Sequence, residues 1–367
     1  MTITSDGPAV SPHNTPRGPA PKSRGFFSLV LEALVTQRIV LLGVLIVLVL
    51  IIMSVLDGMG MLSGAFNADY LAAALINLVP LAMLGLAQLL VILSGLGGID
   101  LSVGSMVSLT GVIFGFAYGI WGWEFFPALM LAILAGAACG AINGSLVSYV
   151  GFPPLIATLA TYYAFRSIAL VISNQKPVNS IEIQNFYSAA QAIELPLIGG
   201  SLPLVPLGIF TFLIPCVIVV WLLLNKTGFG QRVYALGTNN VAAIWSGINV
   251  KTNRMAVYVL SGVISGLVAV VTVAQFASAR PDAGTSGNGM ALPSITIAVL
   301  GGVAIMGGIG RVSGIVLATL LIVWVNAGIL LAFPGNDGTQ FQLLALGLVL
   351  ILASLLNGLT KRKYGGI

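Results

Sequence analysis

The sequence predicts an all-α, polytopic membrane protein of about ten transmembrane helices, some of them broken, with a possible internal repeat. Three observations carry this reading. Of 367 residues, 58% are hydrophobic and only 7% are charged, against roughly a quarter charged in a soluble domain. The 15 basic and 10 acidic side chains divide the chain into uncharged runs at 39–56, 70–99, 101–123, 125–165, 195–225, 255–279, 283–310, 312–336 and 338–360. Each run is long enough for one helix of about 20 residues, and 125–165 for two. The 45 glycines point to closely packed or interrupted helices rather than plain lipid-facing anchors. A water-soluble globule is thereby excluded. So is a membrane barrel, which needs alternating strands of about ten residues.

Taken from the N-terminus, residues 1–24 (MTITSDGPAVSPHNTPRGPAPKSR) are rich in Pro, Ser and Gly and lack an apolar stretch followed by a cleavage site. They read as a disordered tail. Phe26–Gln37 (FFSLVLEALVTQ) sets apolar residues at helical spacing beside Glu32, as expected of a helix lying at the membrane interface. Ten spans are expected at 39–56, 70–94, 101–121, 125–150, 153–172, 204–224, 255–278, 292–306, 312–332 and 341–358. The chain then divides into a tail and interfacial helix at 1–37, a transmembrane domain at 38–358 and a short tail at 359–367.

Charge gives the orientation. With ten spans, one side holds Arg17, Lys22, Arg24, Arg38, Lys226, Arg232, Lys251, Arg254, Arg311, Lys361, Arg362 and Lys363; the other holds only Lys176 and Arg280. Basic loops stay cytoplasmic, so both termini are expected inside. Tyr118, Trp121, Trp123 and Phe125 then fall at the outer interface, an aromatic belt.

Two connections exceed a turn. The outer one, 173–203, mixes polar, acidic and aromatic residues, either as a surface for an extracytoplasmic partner or as a loop closing the outer mouth. The inner one, Asn225–Arg254, contains VYALGTNNVAAIWSGI. There Asn239 or Asn240 can cap a short helix through Ala242, Ala243, Ile244 and Trp245 that Gly247 stops. Exposed apolar residues on such a helix call for a partner.

The inventory for chemistry is thin. His13 lies in the tail, and Cys139 and Cys216 lie in separate spans, so no metal site or disulfide framework is expected. No phosphate-binding loop occurs and no carboxylate pair has catalytic spacing, which argues against an enzyme and against ATP bound by this chain. The basic residues form no stripe suited to nucleic acid.

Glycine punctuates two places. In SGLGGIDLSVGS (Ser94–Ser105), Gly95, Gly97 and Gly98 permit unwound backbone, and Asp100 with Ser102 resembles a helix start. A carboxylate here must sit at a cap, in water or on a cavity, so cap and substrate contact both stay open. Later, GGVAIMGGIGRVSG (Gly301–Gly314) repeats the GGI of Gly97–Ile99 at Gly307–Ile309 before another span, a hint of two related halves. Polar residues inside the spans are few, among them Asn77, Gln88, Ser108, Thr110, Thr161, Ser261 and Ser265. Candidates for the translocation pathway or substrate contact are Asp100, Ser102, Asn143, Thr158, Arg166, Gln275, Ser294 and Asn326. Neutral hydroxyls and amides suit a neutral, hydroxyl-rich ligand, while Arg166, deep in a span, must meet water, carbonyls or a partner. An ion-coupled secondary transporter of a small neutral solute is the alternative, with Asp100 its one candidate acid.

The motifs GGIDLSVGS, NGSLVSYVGFPPLIATLAT, TGFGQRVYALGTNNVAAIWSGINV and AVLGGVAIMGGIGRVSG, in this order, resemble the ribose-type permease family of bacterial ABC sugar importers, over roughly residues 38–358. The resemblance implies a membrane-spanning permease that pairs with a second permease, the same chain or a paralogue, on two ATP-binding cassette ATPase subunits. An extracytoplasmic binding protein would deliver a sugar. ATP and Mg would reside on the partner subunits, with no cofactor in this chain. It further implies that Tyr234, Ala235, Leu236, Gly237, Thr238, Asn239, Asn240, Ala242, Ala243, Ile244 and Trp245 dock into the ATPases, and that SGLGGIDLSVG lines the route. Met290–Ser294 lacks the Glu-Leu pair common in the family, and Arg166 is followed by Ser167 where glycine is usual. Together with Ser278-Ala279-Arg280-Pro281-Asp282, the stretch Leu292-Pro293-Ser294-Ile295 looks closer to the rhamnose or autoinducer sugar-signal branch than to ribose.

Overall fold

A computed structural model describes residues 37–189, 191–193, 203–286 and 289–364. The tail at 1–24, and the interfacial helix expected over Phe26–Gln37 apart from Gln37 itself, lie outside the described residues. The described chain is helices joined by irregular connections, with one two-stranded pairing and an isolated bridge.

Helix α1 (Arg38–Gly58) buries only Leu42, Ile46 and Met53. Their spacing makes one narrow stripe, and the remaining apolar surface faces outward, as lipid requires. The second span is α2 (Ala68–Ala74), a short 3₁₀ turn and α3 (Leu78–Leu93), whose residues are nearly all buried. Helix α4 (Val103–Gly115) ends in a π-helical turn over Phe116–Ile120, as does α5 (Phe125–Ser145) over Leu146–Val150. Then come α6 (Pro154–Ile172) and the outer connection, with α7 (Ile181–Ala189) and strands β1 (Ala192–Ile193) and β2 (Val205–Pro206) paired antiparallel. A π-helical turn, Ile209–Leu213, leads into α8 (Ile214–Lys226). The inner connection forms α9 (Gly228–Thr238) and α10 (Asn240–Trp245). The long α11 (Val250–Phe276), the short α12 (Ala291–Leu300), α13 (Val312–Ala332) and α14 (Asn336–Tyr364) complete the bundle. The backbone of α14 continues beyond 358, so the tail expected at 359–367 begins as helix.

Helices α3 and α11 are the centre. Helix α11 lies against α5 through small residues four apart: a side chain at Gly136 would strike Gly262, one at Gly140 would strike Tyr258, and one at Gly144 would meet Met255. Such a stripe lets backbones approach and gain dispersion where lipid gives no hydrophobic drive between helices. At one end of the bundle Phe114 stacks on Tyr118 at 5.4 Å, with Phe125 and Phe186 of α7 closing the cluster. Tyr118 and Phe125 thus turn inward, while Trp121 and Trp123 of the expected belt are exposed.

The expected eighth span, 292–306, is corrected. Among the described residues nine helices are long and apolar enough to cross a membrane, and α12 is not one of them. It has 10 residues, about 15 Å at 1.5 Å per residue, or half the hydrocarbon thickness. Beyond it Gly301–Arg311 is irregular, with Gly302, Gly307 and Gly308 at positive φ, where residues with a Cβ are strained. Preceding it, the chain leaves α11 at Ala277, pairs Ala279 with Val178, and runs without helix to Gly284, which packs on Gly104 in the first turn of α4. The place of the expected eighth span is thus taken by an irregular stretch followed by a half-length helix.

GGIDLSVG follows α3 and precedes α4, and GGIGRVSG follows α12 and precedes α13. The two glycine segments pack on each other, Gly95 against Gly307, and the Gly308 N–H donates to the Leu93 carbonyl at 3.0 Å.

Candidate functional site

Four of the pathway candidates converge on the start of α4. The Asp100 carboxylate accepts from the Ser102 N–H (2.9 Å) and the Ser102 hydroxyl (2.6 Å) through Oδ1, and from Ser261 Oγ (3.3 Å) through Oδ2. Asn143 Nδ2 donates to Ser102 Oγ at 2.7 Å, and Thr161 Oγ1 donates to Asn143 Oδ1 at 2.6 Å. Thr158 Oγ1 accepts from the Leu101 N–H at 3.2 Å. Gln88 of α3 clamps the Asp100 backbone from both sides, donating to its carbonyl and accepting from its N–H. Asp100, Ser102, Asn143 and Thr158 have no exposed surface.

An irregular segment inside an apolar bundle leaves backbone groups that must find partners, since each orphan costs free energy comparable to a lost hydrogen bond. Here Gln88 of α3 and Thr158 of α6 supply them, while Asn143 of α5 and Ser261 of α11 bond to the side chains of Ser102 and Asp100. Asp100 forms a turn with the N–H two residues on, at the residue that caps α4, so it serves the helix start without being the N-cap itself. The cluster is a closed, mutually satisfied structure rather than an open polar wall.

The other candidates do not join it. Gln275 donates to the Ile76 carbonyl at 2.8 Å toward the other end of α11, and Ser294 to the Ala291 carbonyl at 2.7 Å within α12. The Asn326 carbonyl accepts from Gln342 at 3.0 Å. Arg166 is half-buried on α6, and its buried Nε has no hydrogen-bond partner. Gln275 also lines a cavity of about 1120 Å³ between α3, α8 and α11, whose walls include Val79, Phe212, Cys216 and Leu267. Its lining is largely apolar, unlike the hydroxyl-matching surface a sugar needs.

The inner connection splits in two. Asn239 caps α10, its side chain accepting from the Ala242 N–H at 3.0 Å, and Gly247 at φ 77° ends it. Val241 (62% exposed), Ile244 (55%) and Trp245 (86%) stand outward, with Ala242 also exposed. Ala243, expected on the same exposed face, is 3% exposed and packs inward with Leu236 and Val250. Tyr234 Oη donates to the Gly310 carbonyl at 2.8 Å, and burial raises the phenol above its ordinary range so that it stays a donor. Gly237 packs on the Leu93 carbonyl and Gly308, while Thr238 bonds back to Tyr234. The segment therefore has an outer apolar face on α10 and an inner face, on α9, set against both glycine segments.

Sequence reasoning placed Gln88, Thr161 and Ser261 in spans but not in the cluster. It counted Arg254 only as a charge, whereas its guanidinium is buried and donates to the Ser94 carbonyl and to Asn240. The available signal was spacing: Arg254 and Ser261 fall on one face of a helix, two turns apart.

Comparison with known proteins gives a consistent picture. The family model described as branched-chain amino acid transport system / permease component matches residues 70–354. The chain is 34% identical to the D-allose transport system permease protein AlsC of Escherichia coli strain K12 over 282 residues, 76% of this chain and 80% of that protein. It is 34% identical to the autoinducer 2 import system permease protein LsrD of Photorhabdus temperata over 304 residues, 81% and 83% of the two chains. The LsrD of Escherichia coli strain SMS-3-5 is 35% identical over 273 residues, 74% and 77% of the two. No solved structure matches the chain.

Proposed function

The chain belongs to the branched-chain amino acid transport system / permease component family and is a membrane-spanning permease; from that premise we propose that it imports a sugar or sugar-like solute, driven by ATP hydrolysed on separate subunits. The observation that carries the solute class is the identity, along about three-quarters of the chain, to permeases named for D-allose and autoinducer 2 transport. The sugar-signal likeness of Ser278–Asp282 and Leu292–Ile295 supports the same branch.

In this reading the chain lies in a bacterial inner membrane with both termini cytoplasmic, beside a second permease. An extracytoplasmic binding protein supplies the solute. The apolar face of α10 seats in an ATP-binding cassette subunit, which shifts the permease between inward and outward access by binding its two states unequally. Val241, Ile244 and Trp245 support this, since so much apolar surface on a six-residue helix has no use in water. The ion-coupled alternative loses its motive: Asp100 is committed to Ser102 and Ser261.

The test is reconstitution with the two-cassette ATPase and binding protein encoded by neighbouring genes. D-allose, ribose, rhamnose and autoinducer 2 are then screened for binding-protein-dependent stimulation of ATP hydrolysis. Stimulation by at least one, insensitive to protonophores, is the expected result; uptake driven by an ion gradient without the ATPase would overturn the proposal.

A further inference from the structure

We propose that Arg254 is a positioning residue that ties the ATPase-facing helix α10 to the irregular segment opening α4, so that the two move as one body. The inference rests on the transport reading above and deepens it.

Arg254 lies in the first turns of α11 and is 5% exposed. One nitrogen, Nη2, donates both to the Ser94 carbonyl at 3.2 Å and to Asn240 Oδ1 at 3.0 Å. Both acceptors are neutral, and the buried Nε has no hydrogen-bond partner. A guanidinium held this way is weakly compensated for its desolvation, so stability alone does not account for it. What it does is geometric. Ser94 is the last residue before the chain leaves α3 through Gly95, Leu96 and Gly97, all at positive φ, and Asn240 is the first residue of α10. About two turns further along the same face of α11, Ser261 holds Asp100 at the far end of that segment. Helix α11 thus grips the segment Ser94–Asp100 at both ends, and its lower grip is shared with α10. A push on α10 reaches Ser94 through the Arg254 side chain, beside the packing of Gly237 on Leu93 and Gly95, and the segment, whose own backbone bond runs from the Gly98 N–H to the Gly95 carbonyl, passes it on to the start of α4.

The test is a distance measurement on the assembled permease and ATPase complex, with Cys139 and Cys216 replaced by alanine. Spin labels are placed at Leu96→Cys and Ser246→Cys, both exposed positions. The labelled chain is diluted so that each complex carries one copy. With Arg254 present, a single distance is expected that is the same without nucleotide and after trapping with ATP and vanadate. In Arg254→Gln, and independently in Asn240→Ala, that distance should broaden and shift between the two states. A merely structural role would lower the yield of complex and leave the distance in assembled complexes unchanged. That outcome, in either variant, overturns the inference. Asn240→Ala alone decides if Arg254→Gln does not assemble. Failure of the parental chain to hold any ATPase would instead overturn the transport reading, and this inference with it.

Discussion

The carbonyl of Gly284 occupies the place where a side chain at position 104 would stand, and the carbonyl of Gly104 occupies the corresponding place at 284. The irregular stretch that precedes α12 therefore meets the first turn of α4 backbone to backbone, and the Gly284 N–H donates to Ser108 Oγ at 3.0 Å. That stretch brings peptide groups outside any helix into an apolar interior. A close crossing between residues without side chains lets neighbouring helices reach and satisfy those groups.

Gly104→Ala and Gly284→Ala are expected to destabilise the folded chain by about 1 to 3 kcal/mol or more, because the obstacle is backbone that cannot rotate away. Gly43→Ala, with nothing near the added carbon, should leave stability unchanged or raise it by up to about 1 kcal/mol, since it adds helix propensity. Thermal unfolding of the three variants in one detergent gives the comparison, and equal midpoints for all of them would contradict the packing argument.

Asp100 is predicted to matter for its acceptors and not for carrying protons. In Asp100→Asn, Oδ1 can keep both bonds from Ser102 while the amide faces Ser261, whose hydroxyl turns to accept. Transport should persist. Asp100→Ala orphans the Ser102 N–H and two hydroxyls, a loss of about 1 to 3 kcal/mol for each buried group left unpaired, and should lower the yield of folded permease. Solute uptake and melting temperature, measured together, separate these. Abolished uptake in a fully folded Asp100→Asn protein would favour a titrating role.

How far the sequence reached is clearest at α12. Hydropathy finds apolar length, and 292–306 is uncharged and mostly apolar, so a span is expected there. Whether such a stretch stays helical depends on Gly301 and Gly302 and on the backbone that receives them, which hydropathy does not weigh. The cluster around Asp100 was legible as separate polar residues, because an amide or carboxylate in a span must have a partner. Which partner is a matter of tertiary register, and Gln88, Asn143, Thr158 and Ser261 come from four different helices. The cap at Asn239 was legible because it is local; the inward turn of Ala243 was not, because it is set by contact with Leu236 and Val250.

Orientation is testable by thiol labelling in the background lacking Cys139 and Cys216. Gln231, on the inner connection, and Glu124, between α4 and α5, are exposed and serve as the reporters. A cysteine at 231 should react with an impermeant maleimide only after the cells are opened, and one at 124 should react in intact cells. The reverse pattern would invert the assignment drawn from the positively charged loops.

Trp245→Ala is expected to leave a folded permease that no longer retains its ATPase. The indole is 86% exposed on the outer face of α10 and adds little to the packing of this chain, so its removal should fall on the partner contact. A central aromatic anchor in such an interface is commonly worth about 2 kcal/mol or more, equivalent to roughly a thirtyfold weaker association. Ala243→Glu is the informative contrast. Its side chain points inward against Leu236 and Val250, so a carboxylate there would be buried without a partner and should unseat α10 itself. The first variant should keep its melting temperature and lose co-purification of the ATPase; the second should lose both. If Trp245→Ala retained the ATPase at wild-type stoichiometry through gel filtration, α10 would not be the docking element, and the contact would have to be sought elsewhere on the same side of the bundle.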